Sequence, residues 1–205
     1  MLLSSSSRTA LLLGAIMLTV LPKASAQTFV GAAFQQAFTS TSTLESPRGF
    51  SVFVGADRIL GPFGLSLSYR YVSEGSGVVA QTCGFAFCTP GPFDQSYSLQ
   101  TVDLDISLPA VDNPSARFTL GANISMSSQA ERLQHVDTGE VIRDSVGPDL
   151  GLGVSARLEL PVAQHLHPFL SAQYDRLLAN PCAADALCYG DRNVTRLAIG
   201  LIWRP

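Results

Sequence analysis

The sequence predicts an all-β protein, an eight-stranded antiparallel up-and-down β-barrel that crosses a membrane. Three observations support this prediction: apolar and polar residues alternate along segments of strand length, the connections are alternately short and long, and an export signal is followed by no long apolar run. Successive side chains on a strand point to opposite faces. In 65–72, "LSLSYRYV", Leu67 and Tyr69 therefore share one face, and Ser68 and Arg70 share the other.

The N-terminal residues 1–26 are typical of a secretory signal peptide. Arg8 precedes the apolar stretch "ALLLGAIMLTVL" at 10–21, and "ASA" at 24–26 is a small-residue cleavage site, which predicts a mature chain starting at Gln27. The apolar stretch is shorter than the roughly 20 residues that a spanning helix needs. No cysteine directly follows the cleavage site, so a lipoprotein anchor is not indicated.

The predicted mature chain, 27–205, forms one domain with an acidic balance. It contains 11 arginines and 16 acidic residues, which gives a net charge of −5. The other two basic residues, Arg8 and the lone lysine Lys23, belong to the predicted signal peptide. Binding to nucleic-acid phosphates needs a basic face. This composition therefore argues against a nucleic-acid partner.

Eight segments alternate with a period of two. Each has about the 9–11 residues with which a tilted strand crosses a bilayer. The predicted strands are 28–38, 49–57, 65–72, 97–108, 117–126, 149–160, 168–177 and 195–203.

The connections differ in length between the two ends of the predicted barrel. Three are short and contain Pro or Gly, namely 58–64, 109–116 and 161–167. Four are longer and polar, namely 39–48, 73–96, 127–147 and 178–192. Tight turns at one end and long loops at the other are typical of an up-and-down barrel inserted from one side.

Alternation alone does not decide whether the apolar face meets lipid or a soluble core. A soluble lipocalin-like barrel would turn this face inward, and a membrane barrel turns it outward. The opposite face carries small residues that suit a narrow, filled lumen: Gly121, Gly151, Gly153, Gly200, Ser66 and Ser155. Aromatic residues gather near strand ends, as in the girdles of membrane barrels: Phe50, Tyr69, Tyr71, Phe118, Tyr174 and Trp203. Together with the uncharged apolar faces, these features favour lipid.

With these features the chain resembles the small outer-membrane β-barrels of diderm bacteria, the OmpA-type transmembrane domain and its relatives. The resemblance rests on the signal peptide, the eight segments, the unequal loops and the final strand "NVTRLAIGLIW" at 193–203. It implies an outer-membrane location, contact with outer-membrane lipid, periplasmic termini, and recognition of the final strand by the outer-membrane assembly machinery. Family members usually end on the aromatic residue, whereas Arg204 and Pro205 follow Trp203 here. We expect a monomer.

If the polar face points inward, the lumen contains charges that must be paired. Strand positions place one group near the long loops, namely Arg70, Asp149, Asp175 and Arg196. A second group falls near the short turns, namely Asp105, Arg117, Arg157 and Glu159, with Asp103 between the groups. This arrangement predicts two charge-paired layers that plug the lumen. The alternative is a gated ion path through exchanging pairs.

The sequence offers little support for an enzyme, a metal site or a cofactor. Some small outer-membrane barrels act on lipid A, and that chemistry needs a serine within hydrogen-bond reach of an acid-oriented histidine. His135 falls in a predicted long loop, and His165 and His167 in a short turn. Asp137 and Glu140 near His135 supply too few ligands to predict a metal site. We therefore expect no catalytic, cofactor-binding or metal-binding residues.

The four cysteines fall outside the predicted strands, in two long loops at the same end. Disulfides form in the oxidising compartments that an exported chain enters. Because each loop holds its own close pair, we expect Cys83–Cys88 and Cys182–Cys188. A cross-link between the loops is the alternative.

Three functions remain open at this stage. The first is a structural or surface-interaction barrel with a plugged lumen. The second is a narrow outer-membrane channel for small solutes. The third is a soluble periplasmic binding barrel.

Overall fold

The computed structural model describes residues 27–39, 47–83, 88–178 and 193–205. The predicted signal peptide lies outside the described residues, and so do Cys182 and Cys188. The strands are β1 (Gln27–Thr39), β2 (Arg48–Leu60), β3 (Phe63–Cys83), β4 (Cys88–Asp112), β5 (Arg117–His135), β6 (Val141–Glu159), β7 (Leu166–Leu177) and β8 (Asn193–Trp203). Each strand pairs antiparallel with its sequence neighbours, and β1 pairs with β8 to close the barrel. The predicted fold class is confirmed.

The alternation sorts side chains between the outside and the lumen of this barrel. Apolar residues point outward, with Leu152 on β6 51% and Ile199 on β8 63% exposed. Charged residues of the opposite parity point inward, and Asp103 and Asp175 are 0% exposed. The predicted apolar faces therefore form the exterior.

In the part of the chain that the structure describes, no helix is long and apolar enough to cross a membrane.

All eight strands are longer than the sequence predicts, and β3, β4, β5 and β6 exceed their predicted lengths most. The predicted loops 73–96 and 127–147 consist mostly of strand, because β3 continues to Cys83, β5 continues to His135, and their partners begin at Cys88 and Val141. Alternation marks a strand only where its two faces meet different surroundings. These extensions are polar and rich in Ser and Gly, so they carry no such signal.

Two placements from the sequence change as a result. Cys83 and Cys88 were expected in a loop, but they end β3 and begin β4 with their Cα atoms paired. His135 was likewise expected in a loop, but it is the last residue of β5.

The extended strands form a four-stranded sheet that projects beyond the barrel on the long-loop side. β2 begins at Arg48, opposite Ser73, and β7 ends at Leu177, opposite Gly151. Beyond these levels β3, β4, β5 and β6 stay paired with one another. We call segments 74–83, 88–98, 128–135 and 141–150 the projecting sheet. At about 3.3 Å per residue, its ten-residue outer segments extend roughly 30 Å.

Candidate functional site: the lumen

Apolar side chains form a buried cluster near each end of the lumen, which the expectation of a polar interior did not include. Near the short turns, one buried cluster is formed by Phe29, Ala33, Phe169 and Ile202. Near the long loops, a second is formed by Ala37, Val72, Leu99 and Val194. Their positions have the inward parity of their strands, so the inner face carries apolar as well as polar side chains.

The charged layer nearer the long loops contains two buried ion pairs. Arg70 Nε lies 3.0 Å from Asp103 Oδ2, and Ser68 Oγ donates to the same oxygen at 2.9 Å. On the opposite wall, the Nη1 atom of Arg196 pairs with Asp175 Oδ2. Each arginine therefore neutralises a carboxylate that has no access to solvent.

Two amide side chains join these pairs into one network. Asn123 Nδ2 donates to Asp175 Oδ1 at 2.7 Å. Gln173 Nε2 donates to the same atom at 2.9 Å and to Asp103 Oδ1 at 3.3 Å. The upper layer is defined here as Arg70, Asp103, Asn123, Gln173, Asp175 and Arg196. Asp103, expected between the layers, belongs to this one.

A second charged layer lies nearer the short turns. It contains Asp57, Arg117, Arg157, Glu159 and Arg204, and is called the lower layer. Arg117 Nη1 lies 2.7 Å from Asp57 Oδ2, and Arg157 Nε lies 2.9 Å from Glu159 Oε1. Arg204 joins the two pairs: its Nη1 atom contacts Asp57, and its Nη2 atom lies 2.8 Å from Glu159 Oε2.

Sequence reasoning missed two residues of the lower layer. Asp57 has the inward parity of Ser51, but its position at the predicted end of β2 hid its role. Arg204 has the inward parity of Arg196 on β8, but it follows the last strand and was considered only as an unusual ending. Reading the alternation to the last residue of the predicted strand 49–57, and one residue past the predicted strand 195–203, would have found both.

Arg204 is held in place by the turn before β7. Its backbone N–H donates to the carbonyl oxygen of His165 at 2.9 Å, and His165 Nδ1 lies 2.7 Å from the Arg204 carbonyl oxygen. Its guanidinium lies 4.9 Å from the centre of the Phe29 ring. Burial by itself would lower the pKa of Arg204, but the carboxylates of Asp57 and Glu159 have the larger combined effect, so the pKa is raised. An arginine guanidinium is always charged in proteins, so Arg204 brings a positive charge to the lower layer.

Between the layers lies a chamber of about 60 Å³. Its polar walls include Ser51, Ser66, Ser107, Thr119, Ser155 and Ser171, and Arg70 and Arg157 border it. This volume exceeds the roughly 10–15 Å³ that a water molecule needs. The Thr119 Oγ1 atom is buried without a hydrogen-bond partner among the described residues. The polar walls and the unsatisfied hydroxyl suit bound water.

Two predicted members of the charge layers are placed differently. Asp105 borders the chamber and accepts a hydrogen bond from Ser155 Oγ at 2.8 Å, while the neighbouring Arg70 and Arg157 pair with other carboxylates. Asp149 is buried on the inward face of β6, where its Oδ2 atom has no hydrogen-bond partner among the described residues. Neither carboxylate takes part in the ion pairs given above for the described residues.

The three histidines occupy separate positions. His135 Nδ1 accepts a hydrogen bond from the backbone N–H of Asp137 at 3.2 Å. His167 Nδ1 lies 4.0 Å from Glu159 Oε2, and His165 contacts Arg204 as described. Over the described ranges, no group of three or more His, Cys, Asp or Glu side chains could hold a metal ion.

Comparison with solved structures places this architecture among small outer-membrane β-barrels. The attachment invasion locus protein Ail of Yersinia pestis, solved with the heparin analogue sucrose octasulfate, has a TM-score of 0.58 and 14% identity over 89% of this chain and 100% of that one. Neisserial surface protein A has a TM-score of 0.54 and 13% identity over 88% of this chain and 97% of that one. A major outer membrane protein of Thermus thermophilus has a TM-score of 0.60 and 14% identity over 87% of this chain and 99% of that one.

Comparisons of sequence with family models and with curated proteins found no match. The likeness is therefore one of fold. It agrees with the resemblance that the alternation and loop lengths indicated.

Proposed function

We propose that this chain is an integral outer-membrane protein of a diderm bacterium, with a surface-interaction role and a lumen plugged by its two charged layers. The observation that carries the proposal is the inverted arrangement of the barrel. Large apolar side chains such as Ile124 and Ile199 are more than half exposed, whereas Asp103 and Asp175 are fully buried. A barrel in water would expose the charges and bury the apolar side chains. A lipid environment reverses that preference.

Fractionation followed by a heat-shift gel tests the membrane location. The protein is expected in the outer-membrane fraction, and it should migrate faster unheated than boiled in SDS because the folded barrel resists the detergent. Recovery as a detergent-free soluble monomer, with no shift, would favour the soluble periplasmic barrel instead.

The projecting sheet supports a surface-interaction role. Among the described strands, it places β3 and β6 at its two edges, beyond the ends of β2 and β7. Sheet edges carry backbone groups that can pair with another chain. Two of the similar structures are named as an attachment protein and a surface protein. The similarity to these two structures favours a role for the projecting sheet in contact with the surface of another molecule or cell.

An epitope insertion tests whether the projecting sheet faces the cell exterior. Residues 136–140 form an exposed turn at its tip, between β5 and β6. A tag inserted after Thr138 should be detected by antibody on intact cells. The matched insertion between Gly61 and Pro62, at the opposite end of the barrel, should be detected only after permeabilisation. The reverse pattern would contradict the proposed orientation.

The plugged lumen is tested by conductance. Two charged layers and two apolar clusters lie along the lumen, so purified protein in planar bilayers should pass no steady current. The chamber favours the second candidate, a narrow channel for small solutes, and steady conductance at low voltage would support that candidate.

We infer no enzymatic role, and mass spectra of lipid A with and without expression should be identical.

The final strand supports recognition by the outer-membrane assembly machinery. Trp203, the last residue of β8, is 49% exposed on the outside of the barrel. Trp203→Ala should lower the yield of heat-shifting protein in the membrane. The control is Leu166→Ala on β7, which pairs with Trp203 in the sheet and should leave the yield unchanged. Equal yields would contradict a recognition role.

A further inference from the structure

We propose that Arg204 is a detachable latch that closes the short-turn end of the chamber. This inference goes beyond the proposed function and does not depend on whether the closed protein conducts. Arg204 contacts Asp57 and Glu159 across the lumen and covers the ring of Phe29. It therefore lies across the path between the chamber and the short-turn end.

The charge balance of the lower layer allows Arg204 to leave. This layer contains three arginines and only two carboxylates. When Arg204 withdraws, Arg117 remains 2.7 Å from Asp57, and Arg157 remains 2.9 Å from Glu159. Removing one partner of a buried ion pair is costly because it leaves an uncompensated charge. Withdrawal of Arg204 leaves no such charge, because each carboxylate retains an arginine.

The backbone at Arg204 also allows movement. The other four members of the lower layer lie within strands, whereas Arg204 follows β8 and is held by the two hydrogen bonds to His165. Like the Nε atoms of Arg117 and Arg157, its Nε atom is buried without a hydrogen-bond partner among the described residues. A buried donor without a partner carries a desolvation cost. Withdrawal would return this donor to water without breaking strand pairing.

Arg204 is connected to the chamber through Arg157. Arg157 lines the chamber, shares Glu159 with Arg204, and lies 5.3 Å from the centre of the same Phe29 ring. Movement of Arg204 would leave Arg117 and Arg157, each paired with a carboxylate, between the chamber and the short-turn end. Small polar solutes and water could then enter a chamber whose wall carries hydroxyl groups beside the rings of Phe53 and Phe169.

Thiol labelling inside the chamber tests the latch. Ser171 lines the chamber on β7, and Ser171→Cys places a thiol there in the folded, full-length protein in detergent. A small anionic methanethiosulfonate is added, and labelling is followed on the tryptic peptide 158–176, which contains none of the four native cysteines. The labelling rate should rise about tenfold or more in Arg204→Gly, because access is limited by the open fraction. Arg204→Lys, which cannot contact both carboxylates in the same way, should give an intermediate rate.

Arg58→Gly is the matched control. Arg58 lies at the same end of the barrel but pairs on the outside with Asp112, at 3.5 Å. Its replacement should leave the rate of Ser171→Cys labelling unchanged. Rates within twofold of one another in the parent and in Arg204→Gly, whether both slow or both fast, would overturn the proposal. Failure of Arg204→Gly to give a heat-shifting barrel would also overturn it, because the two remaining ion pairs are required to hold the lower layer.

Discussion

Arg70 on β3 places its Nε atom 3.0 Å from Oδ2 of Asp103 on the neighbouring β4, and the aspartate is fully buried. The positions are 33 residues apart, and strand pairing sets Arg70 opposite Thr101, two residues from Asp103. The ion pair is therefore diagonal. Asp103 depends on the charge of Arg70, because its other contacts with described residues are hydrogen bonds from neutral groups such as Ser68 and Gln173.

Replacing Arg70 with Met should destabilise the barrel by about 3–5 kcal/mol, because it leaves the Asp103 carboxylate buried without a counter-charge. The double variant Arg70→Met/Asp103→Leu should recover most of this loss, since it removes both charges. Urea unfolding in lipid vesicles, followed by the fluorescence of the single tryptophan, Trp203, measures the difference. Arg58→Gln, at an exposed pair, should cost less than about 1 kcal/mol. An equally large loss of stability in Arg70→Met and in Arg58→Gln would contradict the argument that the buried ion pair is the more important one.

Replacing Leu152 with Arg should cost roughly 2–4 kcal/mol in a bilayer, because the side chain points to lipid near the middle of β6. Leu104→Arg on β4 should behave similarly. Leu60→Arg is the control, because Leu60 is 75% exposed beside the β2–β3 turn and should tolerate the charge. Reversible folding into vesicles measures all three. No loss at Leu152 would mean that this strand position does not lie at membrane depth.

Replacing Gly121 with Ala should destabilise the barrel by about 1–3 kcal/mol through overpacking. A methyl group here would lie 2.7 Å from Asp105 Oδ2 and would also meet the Ser155 hydroxyl. It would separate the two groups that form the 2.8 Å hydrogen bond over this glycine. Ala122→Val, which adds volume at the next, outward position, should change stability by no more than about 0.5 kcal/mol. Equal effects in urea unfolding would show that the glycine is not required by the lumen.

Peptide mapping under non-reducing conditions should recover Cys83 joined to Cys88 and Cys182 joined to Cys188. The backbone positions of Cys83 and Cys88 are paired across β3 and β4. Antiparallel partners have Cα atoms about 4.5–5.5 Å apart, within the range that a disulfide can span. Reduction should barely change barrel stability, since short loops lose little chain entropy on closure. Free thiols in exported protein, or a peptide joining the two loops, would contradict this pairing.

The sequence by itself determined which side of each strand is apolar, and with it the number of strands and the class of barrel. Leu152 and Gly153, adjacent in sequence, must point to opposite faces of β6 whatever the strand pairs with, because the strand period is two. The unequal connections further indicated at which end the polar loops would meet. These features are local, so they can be read from spacing alone.

Only the tertiary structure decided which charges meet and where the strands end. Arg204 reaches Asp57, 147 residues away in the chain, because closing the barrel pairs β8 with β1 and leaves only that strand between the end of β8 and β2. The projecting sheet was not predicted because its sequence lacks the local signal that marked the other strands. Its strands have no apolar face to mark them, and they are held by backbone pairing to neighbours that only the folded register supplies. Ion pairs across a lumen depend on the relative heights of several strands, and those heights are set by the register of the closed sheet rather than by any one segment.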